Sequence, residues 1–235
     1  ITVRVEGEHQ SPQEYVLPYG SRMGELLQRI EPNPRSDVAN LQLFRQSVKQ
    51  RQKEMLATTL PSLESALLTA RSGSSDEARL RKEEADLTLA WVDRAKQIEP
   101  LGQVQIAQAQ DKSELLLENG DVLRIPTKDD LVLVGGEVLF PNAVAYQSGL
   151  SLNDYIQRAG GFTQNADNSR VVVGHRDGSF EQVDTERLLS VSPRLQAGDQ
   201  VLVLPKVDEK KRQFWKDMTQ IIFQIAVSAK VVLGL

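Results

Sequence analysis

The sequence predicts an α+β protein of two similar modules, each with one helix laid across a mixed sheet. Three observations support this prediction: an internal repeat, a helical segment that interrupts the first copy, and a final segment that is apolar on one side and polar on the other. The chain of 235 residues is long enough for two such modules and a terminal helix.

The internal repeat aligns residues 1–30 with the segment that ends at Ala159. A constant offset of roughly 129 positions places Gly7 on Gly136 and Pro12 on Pro141 without a gap. Each copy reads as a strand, a turn with proline, a second short strand and a short amphipathic helix. We therefore expect two hairpins, each followed by one helix.

The two copies also end alike. ENGDVLRIP (118–126) matches QAGDQVLVLP (196–205), and each has a Gly-Asp turn followed by a strand that ends at proline. We expect Asp121 and Asp199, the aspartates of these turns, to accept hydrogen bonds from their own backbone. The second copy holds one further strand, RVVVGHRDGS, whose Asp-Gly pair predicts a hairpin turn into FEQVD.

The helix of the second copy has recognisable ends. Ser151 and Asp154 have the spacing of a capping box, and Gly160-Gly161 predicts the C-terminal stop.

A long insert rich in Gln, Glu, Lys, Arg, Leu and Ala interrupts the first copy between Leu41 and Ile98. RSGSSDE (71–77) divides it, which predicts a helical hairpin with Pro61 as a kink or a helix restart. The apolar stripes of the two halves are Leu56, Leu60, Leu63 and Leu67, then Leu80, Leu87, Trp91 and Ile98. These stripes either pack only against each other or belong to a hairpin that also contacts a neighbouring subunit or a periplasmic partner.

The sequence carries no recognisable catalytic chemistry. Cysteine is absent, His9 and His175 lack metal-ligand spacing, and no hydrolase, zinc-protease or phosphate-loop motif occurs. His175 is expected at a strand end or in a turn. The net charge of −4 argues against a nucleic-acid partner. We therefore expect a protein that is not an enzyme and needs no cofactor or metal.

The final segment, 213–235, is predicted to be an amphipathic membrane helix, preceded by a basic linker at 206–212. One polar lane along it consists of Gln213, Asp217, Gln220, Gln224 and Ser228. The membrane-facing candidates are Trp215, Met218, Ile222, Ile225, Ala229 and Val232. A helix that lines a water-filled pore satisfies both faces; a helix lying on a membrane surface and one packed in a protein core are the alternatives.

The segments VLVGGEVLFPNAV, SLNDYIQRAGGFTQNAD and LQAGDQVLVLP, between Val132 and Pro205, carry a family resemblance. They resemble the soluble ligand-binding β-grasp (SLBB) domains found in tandem in outer-membrane polysaccharide export proteins. The resemblance implies two β-grasp-like modules, a first at 1–126 with the helical hairpin at about 46–98 and a second at 130–205. The export-signature domain of that family is not present in this sequence.

The resemblance also implies a function and partners. We expect the C-terminal part of a capsule or exopolysaccharide export protein that forms a homo-oligomeric ring in the outer membrane and periplasm of a Gram-negative bacterium. Its partners would be the polysaccharide and a periplasm-spanning polysaccharide co-polymerase of an ABC-transporter- or polymerase-dependent system. The alternative is a periplasmic β-grasp module that binds carbohydrate or a small ligand and is tethered peripherally to a membrane. Because the sequence starts inside an apparent strand without a methionine, we expect a processed or truncated piece.

Overall fold

The chain folds into two five-stranded mixed sheets, each crossed by a short helix. The structure is a computed structural model that describes residues 1–69, 97–106, 112–186 and 193–205, with single helical positions between 79 and 96. The first module consists of β1 (Thr2–Gly7), β2 (Glu14–Val16), α1 (Met23–Leu27), β3 (Gln42–Phe44), α2 (Gln46–Thr69), β4 (Gln103–Val104) and β5 (Val122–Ile125). The second consists of β6 (Leu131–Gly136), β7 (Asn142–Ala145), α3 (Leu152–Arg158), β8 (Ala166–Gly174), β9 (Phe180–Val183) and β10 (Gln200–Pro205).

The two sheets share one topology. Their strand orders are β2-β1-β5-β3-β4 and β7-β6-β10-β8-β9. In both, the first and last strands of the module pair in parallel and all other neighbours are antiparallel. The registers also match, because Arg4 lies opposite Val122 and the equivalent Leu133 lies opposite Gln200. The tandem mixed α/β architecture predicted from the repeat is confirmed.

Alternating burial explains why these segments form strands with one helix-covered face. Val3 and Val5 of β1 are fully buried whereas Arg4 between them is exposed, and β6 repeats this alternation. Each helix covers the buried face with its own apolar side chains, Met23 and Leu26 in α1. The corresponding side chains of α3 are Leu152, Tyr155 and Ile156. The buried side chains form one separate cluster in each module, so each module has its own core. Each fully buried aliphatic side chain contributes about 1.5–3 kcal/mol to the stability of that core.

Helix α3 begins and ends where the sequence predicts. The Ser151 hydroxyl accepts from the Asp154 N–H at 3.2 Å, and the Asp154 carboxylate accepts from the Ser151 N–H at 2.8 Å. The Ser151 hydroxyl also donates to the Asp154 carboxylate at 2.7 Å, and this bond, together with the one from the Ser151 N–H, lowers the pKa of Asp154. The helix ends at Arg158, just before Gly160 and Gly161. The capping box and the glycine stop are therefore confirmed.

The insert connects β3 to β4, the position that residues 175–179 occupy between β8 and β9. Its two helical parts run side by side, since Lys96 lies 2.9 Å from Glu64 and Lys53 lies 3.0 Å from Glu99. Helix α2 continues through Pro61, so of the two predicted alternatives the helix restart is wrong, and the kink stays a prediction.

The buried face of the insert differs in part from the predicted stripes. Leu56 and Leu60 are buried as predicted, and Val92 and Ala95 are buried as well. Ile98 is half-buried. The side chains of Leu63, Leu67, Leu80, Leu87 and Trp91 lie outside the described residues.

The last residue of β6 allows a close backbone contact that only glycine permits. Gly136 has φ of +80°, and a Cβ there would overlap the carbonyl oxygen of Val203 on β10. In the first module, a Cβ at Gly7 would likewise overlap the carbonyl oxygen of Ile125 on β5. The parallel pairing of the first and last strands therefore depends on glycine at both positions.

We predict that Gly136→Ala lowers the free energy of unfolding by at least about 3 kcal/mol, because backbone strain and a clash with Val203 add together. Gly149→Ala is the matched control: Gly149 has φ of +93° but open space around an added Cβ. The control should lose only about 1–2 kcal/mol. Urea denaturation of the two variants measures the difference, and equal losses would contradict the close-contact explanation.

Candidate functional site

Both Gly-Asp turns bury a carboxylate. Asp121 and Asp199 are 0% and 1% exposed. Asp121 accepts from the Glu118 N–H at 2.8 Å, and Asp199 accepts from the Gln196 N–H at 2.7 Å. The prediction that these aspartates bond their own backbone is confirmed.

Each buried carboxylate also bonds a basic side chain from the residue directly after the third strand of its module. Arg45, after β3, donates to both Asp121 oxygens at 2.9 and 2.8 Å. His175, after β8, donates from Nδ1 to Asp199 at 2.9 Å. The two sites are equivalent, because Phe44 pairs with Val122 and Gly174 pairs with Gln200. A buried carboxylate requires such a partner, since leaving its charge unpaired costs several kcal/mol.

The pair in the second module is titratable. The hydrogen bond to Asp199 raises the pKa of His175, and the nearby carboxylates of Glu181 and Asp177 act in the same direction, while burial opposes them. Glu181 lies 3.8 Å from the second ring nitrogen. The folded surroundings therefore stabilise the imidazolium form of His175 relative to the unfolded chain.

The residue after His175 reaches from the second module into the first. The Arg176 guanidinium donates to the Asp37 carboxylate at 3.1 Å and to the Thr127 carbonyl at 2.8 Å. In return, the Gln42 side-chain amide donates to the Arg176 carbonyl. The His175-Arg176 pair thus binds its own sheet with one side chain and the neighbouring module with the other.

A cleft of about 310 Å³ lies at this junction. It is lined by the strands β3, β4 and β6, by the Asp129 linker position and by the β8–β9 and Gly-Asp turns of the second module. The lining residues are Gln42, Gln103, Asp129, Leu133, Gly174, His175, Arg176, Gly178, Phe180, Gly198 and Gln200. Its polar side chains are three amides and three charged or titratable groups, which suits recognition of hydrogen-bonding ligands more than covalent chemistry.

The residues that the sequence proposed for a pore are not among those that the structure describes. The polar lane and the membrane-facing set, from Gln213 to Val232, lie outside the described residues, as do the linker at 206–212 and the rest of the terminal segment. In the described part of the chain, no helix combines the length and the apolar character needed to cross a bilayer. Within the same ranges, no group of three or more His, Asp or Glu side chains is placed to hold a metal ion.

Sequence reasoning placed His175 correctly at a strand end but missed its partner. It also missed Arg176 as the link between modules and Gln103 in the cleft wall. The sequence repeat itself could have located this partner. Arg45 and His175 each follow the third strand of their copy, which pairs with the strand after the Gly-Asp turn, so each basic residue could have been matched to the aspartate of its own copy.

Two comparisons with known proteins identify relatives of this chain. Residues 130–203 match the model of the SLBB domain. Two Escherichia coli proteins, each called Polysialic acid transport protein KpsD, are 44% identical over 235 residues, all of this chain. The chain spans 41% of the length of these relatives. The resemblance to polysaccharide export proteins is therefore confirmed, and the relatives are named as transport proteins rather than enzymes, in agreement with the sequence analysis.

We predict that Arg45→Met lowers the free energy of unfolding by about 3–5 kcal/mol, because it leaves the buried Asp121 charge without its partner. Arg124→Met is the control, since Arg124 forms its ion pair with Glu6 at the surface, where its side chain is 46% exposed. The control should lose no more than about 1 kcal/mol. Denaturant titration decides, and a small loss for Arg45→Met would show that Asp121 needs no cation.

A pH effect follows from His175. Since its pKa is raised in the folded state, the charged pair with Asp199 stabilises the fold fully below the unfolded pKa, and this stabilisation is lost as pH rises through the folded pKa. Between about pH 6 and pH 9, wild-type protein should lose more unfolding free energy than His175→Gln does. Parallel urea titrations test this, and identical slopes would contradict it.

Proposed function

We propose that this chain, a relative of the polysaccharide transport proteins of Escherichia coli, is part of an outer-membrane protein that exports capsule or exopolysaccharide. The observation that carries the proposal is the 44% identity along the entire chain. The two modules of equal strand order support it, because the family resemblance implies such modules in tandem and the second one matches the SLBB model.

The proposed mechanism is passage rather than chemistry. Copies of the chain assemble as a ring around a periplasmic channel. Residues 213–235 of each copy form one helix of a helical barrel that crosses the outer membrane. A lane of Gln213, Asp217, Gln220, Gln224 and Ser228 then faces water, whereas Trp215, Met218, Ile222, Ile225, Ala229 and Val232 face lipid. Neutral amides in a wide lumen let a hydrated glycan slide without tight binding, and burying them in lipid would be costly.

The proposed partners supply energy and continuity. The export energy comes from an inner-membrane transporter or polymerase system, and a periplasm-spanning co-polymerase meets the near face of the ring. The insert is a candidate docking surface, since α2 exposes charged side chains such as Arg51 and Glu54. Its inward face is used within the hairpin, where Leu56 and Leu60 are buried.

Particle size in detergent tests the assembly. The full chain should elute as a large ring. A chain ending at residue 212 should elute as a much smaller species, because the contacts between the helices formed by residues 213–235 hold the proposed ring together. Light scattering coupled to gel filtration gives both masses. A full chain that stays monomeric would overturn the ring.

Thiol labelling tests the lining. Single cysteines at positions 220 and 224 should react with a membrane-impermeant thiol reagent in the assembled protein, because these positions face water in the proposed barrel. Cysteines at positions 222 and 225 are the matched controls and should stay unreactive. Since the natural chain contains no cysteine, each reaction reports one position. Faster labelling at 222 and 225 would reverse the assigned faces.

The cleft at the module junction favours a second candidate function. According to this second candidate, the chain binds carbohydrate or a small ligand in the periplasm, and its C-terminal segment only attaches it peripherally to a membrane. A detergent-independent monomer with affinity for glycans would support this candidate over the export channel.

A further inference from the structure

We propose that the cleft between the two modules is a binding site for a neutral, hydroxyl-rich ligand of one or two sugar rings. The site is formed by the first module through Gln42 and Gln103 and by the second through Phe180, Gln200 and the turn around Gly178. It is complete within one chain, so it does not depend on assembly into a ring.

Gln103 is the most informative side chain of the site. It is 8% exposed, and its Nε2 atom has no hydrogen-bond partner among the described residues. A buried amide donor without a partner costs about 1–3 kcal/mol of stability. The protein therefore holds a donor at the cleft wall that its own described groups leave unused.

The packing around Gln103 shows how tightly the two modules enclose that amide. A Cβ at Gly178, in the β8–β9 turn, would lie 2.6 Å from Nε2, so the turn packs directly against the amide. The terminal torsion of a glutamine is soft, and no hydrogen bond holds this Nε2 in place. In the proposed complex the amide rotates about this torsion and donates to an oxygen atom of the ligand.

The rest of the lining fits a sugar ring. The amides of Gln42 and Gln200 provide donors and acceptors for hydroxyl groups. Phe180 and Leu133 provide apolar surface for the C–H face of a ring, and Leu133 remains 44% exposed. A few placed polar groups with apolar side chains between them are typical of small-ligand sites.

The charges of the lining favour a neutral ligand over an acidic one. Its two basic side chains already face carboxylates, His175 that of Asp199 and Arg176 that of Asp37. Asp129 adds a negative charge to the wall. An acidic sugar would therefore meet a carboxylate without gaining an uncommitted cation from the described lining.

The size of the cleft limits the ligand. At about 310 Å³ it lies at the lower end of the range for small-molecule sites, which begins near roughly 300 Å³. One or two rings fit this volume, and a longer glycan would have to extend from the open side.

Titration of the full chain with N-acetylglucosamine, followed by NMR chemical shifts, tests the site. We expect saturable shifts and a dissociation constant in the millimolar range, with glucuronic acid of similar size binding several-fold more weakly. Gln103→Leu should weaken binding at least about tenfold while leaving the unliganded protein as stable as wild type or more stable, because the variant removes an unpaired buried donor. Gln50→Leu is the matched control: Gln50 is an exposed glutamine of α2 that bonds Glu54 at 3.1 Å and lies outside the lining, so its loss should leave binding unchanged.

Gln200→Leu gives an independent test should Gln103→Leu fail to fold, because Gln200 lines the same cleft but is exposed. It should also weaken binding. The absence of saturable shifts in the wild-type chain would overturn the site, and so would unchanged affinity in both cleft variants. Tighter binding of glucuronic acid than of N-acetylglucosamine would overturn the neutral ligand class. Each result is separate from the ring mass, which reports only the export proposal.

Discussion

A buried carboxylate at the start of the last strand is the constraint on which both modules depend. Asp121 and Asp199 close their turns by accepting a backbone N–H, and their remaining charge needs a basic partner. In both sheets that partner stands directly after the third strand, so the carboxylate joins the beginning of one strand to the end of its neighbour. The insert leaves the first sheet directly after Arg45, and His175 lines the cleft, so both features border this connection.

A chemical difference between the modules arises at the same position. An arginine in the first module bonds both carboxylate oxygens and remains charged, whereas a histidine in the second is titratable. The histidine is followed by Arg176, which crosses to Asp37 and Thr127 of the first module. Repetition of one fold therefore supplies the scaffold, and a few non-equivalent side chains hold the modules together and line the cleft.

Much of the fold could be predicted because its signals are local. The repeat offset of roughly 129 positions predicted where β6 lies once β1 was recognised. The Ser151–Asp154 cap and the Gly160-Gly161 stop predicted the two ends of α3. The cleft could not be predicted, since Gln103 and Gly178 are distant in sequence and meet only through the packing of two sheets. At Pro61 the restart alternative was wrong for a physical reason: proline disfavours a helix interior, but tertiary context can override such local preferences, and α2 buries Leu56 and Leu60 just before it.

The placement of the helical insert has a consequence for how such chains diversify. It replaces a hairpin turn whose two strands, β3 and β4, remain paired through Leu43 and Val104. The entropy of closing a loop grows only with the logarithm of its length, so each doubling costs only about 0.6 kcal/mol. A hairpin of this kind is a graft point, where helices of different length and surface chemistry can be exchanged while the sheet beneath keeps its register.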